Sequence, residues 1–202
     1  MNRLYENMTE KTQTRLKVQY EMSLALLNVY RSIVSHDNSS IPADWTSKST
    51  IYRQMGNMIF DIRNSVLETN LYSEKLIDLI NKKLKSKELF SKLKSKHAKI
   101  EHFYGRSSAA EKFFLEYYIK DPTFNEFCNF VISYGSYHRT TGDENQKVKI
   151  AFLKGVKNWI DAYDQVEVKL FEIKLIQDGN KVVRVDKVRE VKKEELADSF
   201  VY

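Results

Sequence analysis

Apolar residues recur along most of the chain at intervals of three and four, the signature of helices that bury one face. Leu16, Tyr20, Leu27, Tyr30 and Val34, widened by Leu26 and Ile33, predict a long first helix from about Glu10 to Ser35. His36 to Pro42 reads as a loop, because Asn, Ser and Pro punctuate it. Ile51, Met55, Met58, Ile59, Ile62 and Val66 form the stripe of a second helix. Ser73 opens a third, carrying Leu76, Ile77, Ile80 and Leu84. Leu89, Phe90, Leu93 and Ile100 lie at a different angular phase, which predicts a break near Ser86 and a separate helix from about Lys87 to Tyr104, stopped by Gly105.

Ser108 and Glu111 have capping-box spacing ahead of Phe113, Phe114 and Tyr117. Asp121-Pro122 reads as a cap followed by proline at the first helical position, ahead of Phe124, Phe127, Phe130 and Val131. Asp143 is the expected cap of a helix carrying Val148, Phe152, Val156, Trp159 and Tyr163. After Tyr163 the pattern changes. Val166–Ile176 and Lys181–Val191 are rich in β-branched residues and flank the turn signal Gln177-Asp178-Gly179-Asn180, so a β-hairpin is expected there. The expected fold is mainly α: a single multi-helix domain of about six to seven helices, covering residues 1–164, with a C-terminal β-hairpin and tail over 165–202 packed on it.

Composition narrows the functional classes. The chain has 202 residues, 42% of them hydrophobic, enough to bury a core, and no apolar run approaches the length of a membrane span. Its single cysteine, Cys128, excludes an internal disulfide framework and a cysteine-based zinc cluster. The stretch Met1–Glu6 lacks the apolar core of a secretion signal, so a cytoplasmic location is expected. There is no His-Glu-x-x-His, Gly-x-Gly-x-x-Gly or Gly-x-Ser-x-Gly, and neither a metal nor a cofactor is expected.

The formal net charge of +6 is not evenly spread. Lys82, Lys83, Lys85, Lys87, Lys92, Lys94, Lys96 and Lys99 stand against the single acid Glu88, a local charge of +7 that exceeds the net charge of the whole chain. Dense lysine can neutralise phosphates and release counterions, which gives affinity for nucleic acid without reading its sequence. Bidentate base reading favours arginine, which is sparse here. Two further segments combine Tyr, Gly, His and Arg at expected helix ends: His102 to Ser107, with Arg106, and Tyr134 to Thr141, with Tyr137, His138 and Arg139. Tyrosine rings there would stack on bases while arginine meets phosphate.

Arg31 and His36 enclose the run Arg31-Ser32-Ile33-Val34-Ser35-His36, an Arg-x4-His pattern. It resembles the motif of HEPN-domain ribonucleases, helical proteins of toxin and phage-defence (abortive infection) systems. The resemblance implies metal-independent RNA cleavage at a homodimer interface, with His36 as general acid or base and Arg31 stabilising charge on the scissile phosphate. Ser32 departs from the polar residue, often Asn, His or Asp, that usually comes after the arginine in that family. Glu167-Val168-Lys169 and Glu172-Ile173-Lys174 look like the second half of a PD-(D/E)xK nuclease motif, but no upstream strand is expected to supply its first carboxylate.

The first expectation is therefore a non-enzymatic binding or regulatory protein that contacts nucleic acid, or a nucleoprotein assembly, through the lysine-rich segment. The alternatives are a HEPN-like ribonuclease using Arg31 and His36, and a protein-interaction factor with no nucleic acid partner.

Overall fold

The structure is a computed structural model, and it describes residues 8–35, 48–60, 67–102, 105–156, 159–192 and 195. Among these, the chain order is α1 (Glu10–Ser35), α2 (Lys48–Phe60), β1 (Glu68–Ser73), α3 (Glu74–Leu84), α4 (Phe90–His97), β2 (Ala98–His102), α5 (Arg106–Glu116), α6 (Phe124–Gly135), β3 (Tyr137–Thr141), α7 (Gly142–Leu153), α8 (Trp159–Gln165), β4 (Leu170–Asp178) and β5 (Lys181–Glu190). The expected loop at 36–42 lies outside the described residues, as do Ile62 and Val66 of the second expected stripe. Two compact units result. One is helical, from residues 1–67, 104–136 and 202; the other is built on a sheet, from residues 68–103 and 137–201.

In the helical unit, α1 buries Leu16, Gln19, Ser23, Leu27, Tyr30 and Ile33, a stripe at helical spacing. Its two polar members are bonded: Gln19 Nε2 donates to the Met58 carbonyl at 3.2 Å, and Ser23 Oγ to the Tyr20 carbonyl at 2.7 Å. The core is aromatic. Tyr30 stacks on Phe114 with centroids 4.5 Å apart, and Phe113 meets Phe130 edge-on at 5.1 Å. Gly56 lets α2 approach α5, because a Cβ there would lie 2.6 Å from the Arg106 carbonyl oxygen. Helix termini differ from expectation by a few residues. Gly105 is the N-cap of α5 and not the stop of the helix before it. Thr123 and not Asp121 caps α6, in a reciprocal capping box with Glu126.

In the other unit five strands form one mixed sheet in the order β2-β3-β1-β4-β5. β1 and β3 run parallel, with Glu68 beside Tyr137 and Tyr72 beside Arg139. β2–β3, β1–β4 and β4–β5 are antiparallel. The hairpin lies where the sequence places it, and its two-residue turn has Gly179 at φ 57°, the positive φ that a type II′ turn asks of its first central residue. Tyr72, Ala98, Ile173 and Val185 from the sheet form a core with Leu76, Ile77, Ile80 and Leu84 of α3 and Leu93 of α4.

This sheet overturns the expectation of a mainly helical domain with strands only in a C-terminal hairpin: the fold is mixed α/β, with strands spread through the chain. β2 falls inside the expected helix Lys87–Tyr104, because Leu89, Leu93 and Ile100 share a helical spacing by coincidence. Helix α4 ends at His97, and Ala98 begins a strand. β3 falls in an expected loop, because its residues, Tyr-His-Arg-Thr-Thr, show no apolar alternation.

Candidate nucleic-acid interface

The lysines sit on three connected pieces of the sheet unit and not on one helix. Lys82 and Lys83 occupy the last turn of α3, Lys85 is its C-cap, and Lys87 lies in the turn beyond it. Lys92, Lys94 and Lys96 are on α4, and Lys99 is on β2, an edge strand of the sheet. Cations in the last turns of α3 and α4 complement the helix dipoles, which is sufficient reason for some of them to be there.

Their environments separate them. Leu93 is fully buried, whereas Lys92 and Lys96, one turn apart on α4, are both exposed. Lys94 turns towards the sheet and binds Glu68, Nζ to Oε1 2.8 Å. Lys83 stands 3.8 Å from Glu88. Lys82, Lys85, Lys87, Lys92, Lys96 and Lys99 are exposed, and none of these six is ion-paired to a carboxylate among the described residues. The pKa of His97 is lowered, first by loss of solvent and then by the charges of Lys83 on α3 and Lys96 on α4, with Glu88 opposing.

Lys87 has a second peculiarity. Its φ is 63°, in the left-handed region that glycine normally fills after a helix. A side chain there costs about 1 kcal/mol or more.

The remaining candidates from the sequence are elsewhere or enclosed. Tyr137 and His138 are 5% and 0% exposed, so neither ring offers a face for a base. Arg139 is half-buried, grips Glu68 with Nε at 2.9 Å and Nη2 at 3.1 Å, and lies over the Tyr137 ring. Arg106 belongs to the helical unit and donates to Asn57 Oδ1 at 2.8 Å. Arg31, also in that unit, is a helix cap. It donates to the carbonyls of Tyr117 and Tyr118 at 2.7 Å each, to Asp121 at 2.6 Å and to Asn28 at 3.2 Å. Those two carbonyls belong to the C-cap of α5 and the residue next to it, where intrahelical partners run out. His36 lies outside the described residues.

The second-half nuclease motif finds upstream strands after all, but no carboxylate ready to join it. Glu68 on β1 is held by Arg139 and Lys94, and Glu172 on β4 pairs with Arg189 at 3.0 Å. Among the described residues no group of three or more His, Cys, Asp or Glu side chains is placed to hold a metal ion. Cys128 is buried, which pushes its thiol up to about 11 and leaves it a poor nucleophile.

Two polar clusters in the sheet unit join Lys94, His138 and Arg139 to partners that the sequence does not point to. In the first, burial would raise the pKa of Glu68, but hydrogen bonds and charges from Arg139 and Lys94 outweigh it and leave the pKa lowered. In the second, Glu101 faces His138 across the β2–β3 pair, and His138 Nε2 is hydrogen-bonded to the Tyr163 hydroxyl of α8. Burial drives the Glu101 carboxyl up to about 7 against the opposing pull of Lys149. Burial, helped by His102, drives His138 down to about 3, so it is neutral throughout the physiological range. Beside them Glu144, 1% exposed, accepts from the Thr141 backbone at 2.9 Å and the Ser73 hydroxyl at 2.6 Å, linking the N-terminus of α7 to the cap of α3.

No family model, curated protein or solved structure matches the chain.

Proposed function

We propose that the protein binds nucleic acid without cutting it, through phosphate contacts made by the α3–α4 segment and the start of β2. The observation that carries this reading is the set of six exposed lysines, Lys82, Lys85, Lys87, Lys92, Lys96 and Lys99, with no carboxylate partner among the described residues. Lysine on a surface turn and on the outer side of a short helix tracks a phosphate chain as a row of point charges and reads no base.

A membrane surface fits less well. Helix α4 has eight residues, and its apolar side, Leu93 with Phe90, is already committed to the core, leaving no apolar face for a bilayer. No described helix is long and apolar enough to cross a membrane. The ribonuclease alternative loses its motivation at Arg31, whose guanidinium is engaged by two carbonyls, a carboxylate and an amide.

The test is charge reversal on the outer side of α4. Lys92→Glu with Lys96→Glu should weaken binding of a fluorescent oligonucleotide by about tenfold or more at low salt, because two attractions become repulsions. Both side chains are exposed, so thermal stability should change little. Unchanged affinity in a folded variant would place binding elsewhere or nowhere.

A further inference from the structure

We infer that the nucleic acid taken by this protein is single-stranded, and that an unpaired base enters a groove beside the lysines. This rests on the phosphate-binding reading and names the form of its ligand.

The groove lies between the α3–α4 turn and the tip of the β4–β5 hairpin and has a volume of about 400 Å³. That is within the range of small-ligand sites, roughly 300–1,000 Å³. Its walls are apolar: Leu89 and Phe90 on one side, Val182 and Val183 on the other. Leu89 is 49% and Val183 47% exposed, whereas Phe90 and Val182 are packed against the core beneath. The floor is therefore fixed, and the upper walls present apolar surface to solvent. An exposed leucine or valine alone asks for no explanation, but here the two line one depression.

Charge decides the occupant. Lys87 and Lys181 stand on the two sides of the groove, both exposed, and neither is paired with a carboxylate among the described residues. The one acid of the lining, Glu88, is turned to Lys83 at 3.8 Å. An apolar slot between two cations suits a flat apolar ring on an anionic chain: the base enters, and the phosphates on either side of it meet Lys87 and Lys181. Asn180, at the hairpin tip, supplies both an amide donor and a carbonyl acceptor for the edge of a base. A duplex keeps its bases stacked and cannot fill the slot without unstacking, which costs a few kcal/mol.

The conformation of Lys87 fits this use. Glycine would relieve the left-handed backbone at that position, and the chain instead holds a lysine at the groove's edge.

The experiment compares an unstructured oligonucleotide with one of the same length whose central sites are abasic, at one salt concentration, in deoxyribo and ribo forms. The phosphates are equal, so the ratio of affinities isolates the base. Wild-type protein should prefer the intact strand by about fivefold or more, the lower end of what a buried base contributes. Leu89→Ser with Val183→Ser should bring the ratio close to one while leaving affinity for the abasic strand unchanged. Lys87→Gly, which keeps the backbone geometry, should weaken both strands alike, and its thermal stability should be equal or higher. Equal wild-type affinity for both strands, or a preference that survives in the serine variant, overturns the groove while the lysine reading stands. Failure to bind either strand removes both. A ratio above one in only one of the deoxyribo and ribo arms supports the groove and says which sugar it accepts.

Discussion

Glu68→Gln should destabilise the sheet unit by roughly 3 kcal/mol at neutral pH, since removing one partner leaves the others as uncompensated buried charge. The Glu68 side chain is 11% exposed and Arg139 14%, so neither can turn to water without moving the strands. Lys94, at 30%, can swing outward, which keeps the cost at the lower end of the buried-pair range of about 3–5 kcal/mol. Replacing Glu68 and Arg139 together, by Gln and Met, should recover most of the loss, because no half-buried guanidinium is then left without its carboxylate. Urea titration of the single and double variants measures this. Equal loss in both would mean that the side chains act through shape alone. The pH dependence has a definite sign. The folded pKa of Glu68 is lowered, so its stabilisation is present above the ordinary carboxylate value of 4.5 and is lost as the pH falls through the lowered value.

Glu101→Gln should have the opposite effect, and only in neutral and alkaline solution. Burial raises the folded pKa of Glu101 to about 7 from an ordinary 4.5. Its favourable contribution is full below about 4.5 and is lost as the pH rises through about 7, where the carboxyl must ionise in place. At pH 8 the glutamine variant should be more stable than wild type by roughly 2 kcal/mol, and the difference should shrink steadily as the pH is lowered towards 4. His138 runs the other way. With its folded value near 3 against an ordinary 6.5, its contribution is lost as the pH falls between those values. It is present in both proteins and so cancels in the comparison. Thermal melts of the two proteins from pH 4 to 8 provide the curve. A flat difference would mean that Glu101 is solvated.

The legibility of this fold in its sequence divides along physical lines. Helices with one buried stripe could be read directly, and α1 occupies the expected Glu10–Ser35. The hairpin was readable because its turn carries glycine where φ is positive and its strands are β-branched. The other strands were not. β3 sits between β2 and β1, paired on both edges, yet its residues are polar, because His138, Arg139 and Thr141 each find partners on other elements. Two of those partners are distant in sequence: Glu68 precedes Arg139 by 71 residues, and Tyr163 comes 25 after His138. A pattern that looks only at neighbours cannot see a polar strand whose hydrogen bonds are tertiary.

The same limit applies to the candidate interface. Charge density found the lysine segment, since clustering of one sign is visible in one dimension. It could not say that Lys94 turns inward to Glu68 while Lys92 and Lys96 face solvent, because that depends on where the sheet lies. The Tyr/His/Arg segment at 134–141 had the right residues for stacking on bases, but Tyr137, His138 and Arg139 are building material of the sheet.

The most direct test of the lysine segment as a phosphate-binding surface is the salt dependence of affinity for a single strand. If all six exposed lysines engage phosphates, log affinity against log salt should fall with a slope of about −4, from roughly −0.7 per phosphate. Lys92→Glu with Lys96→Glu should flatten that slope by at least about one unit. A wild-type affinity that does not change with salt, or no measurable binding at low salt, would contradict it.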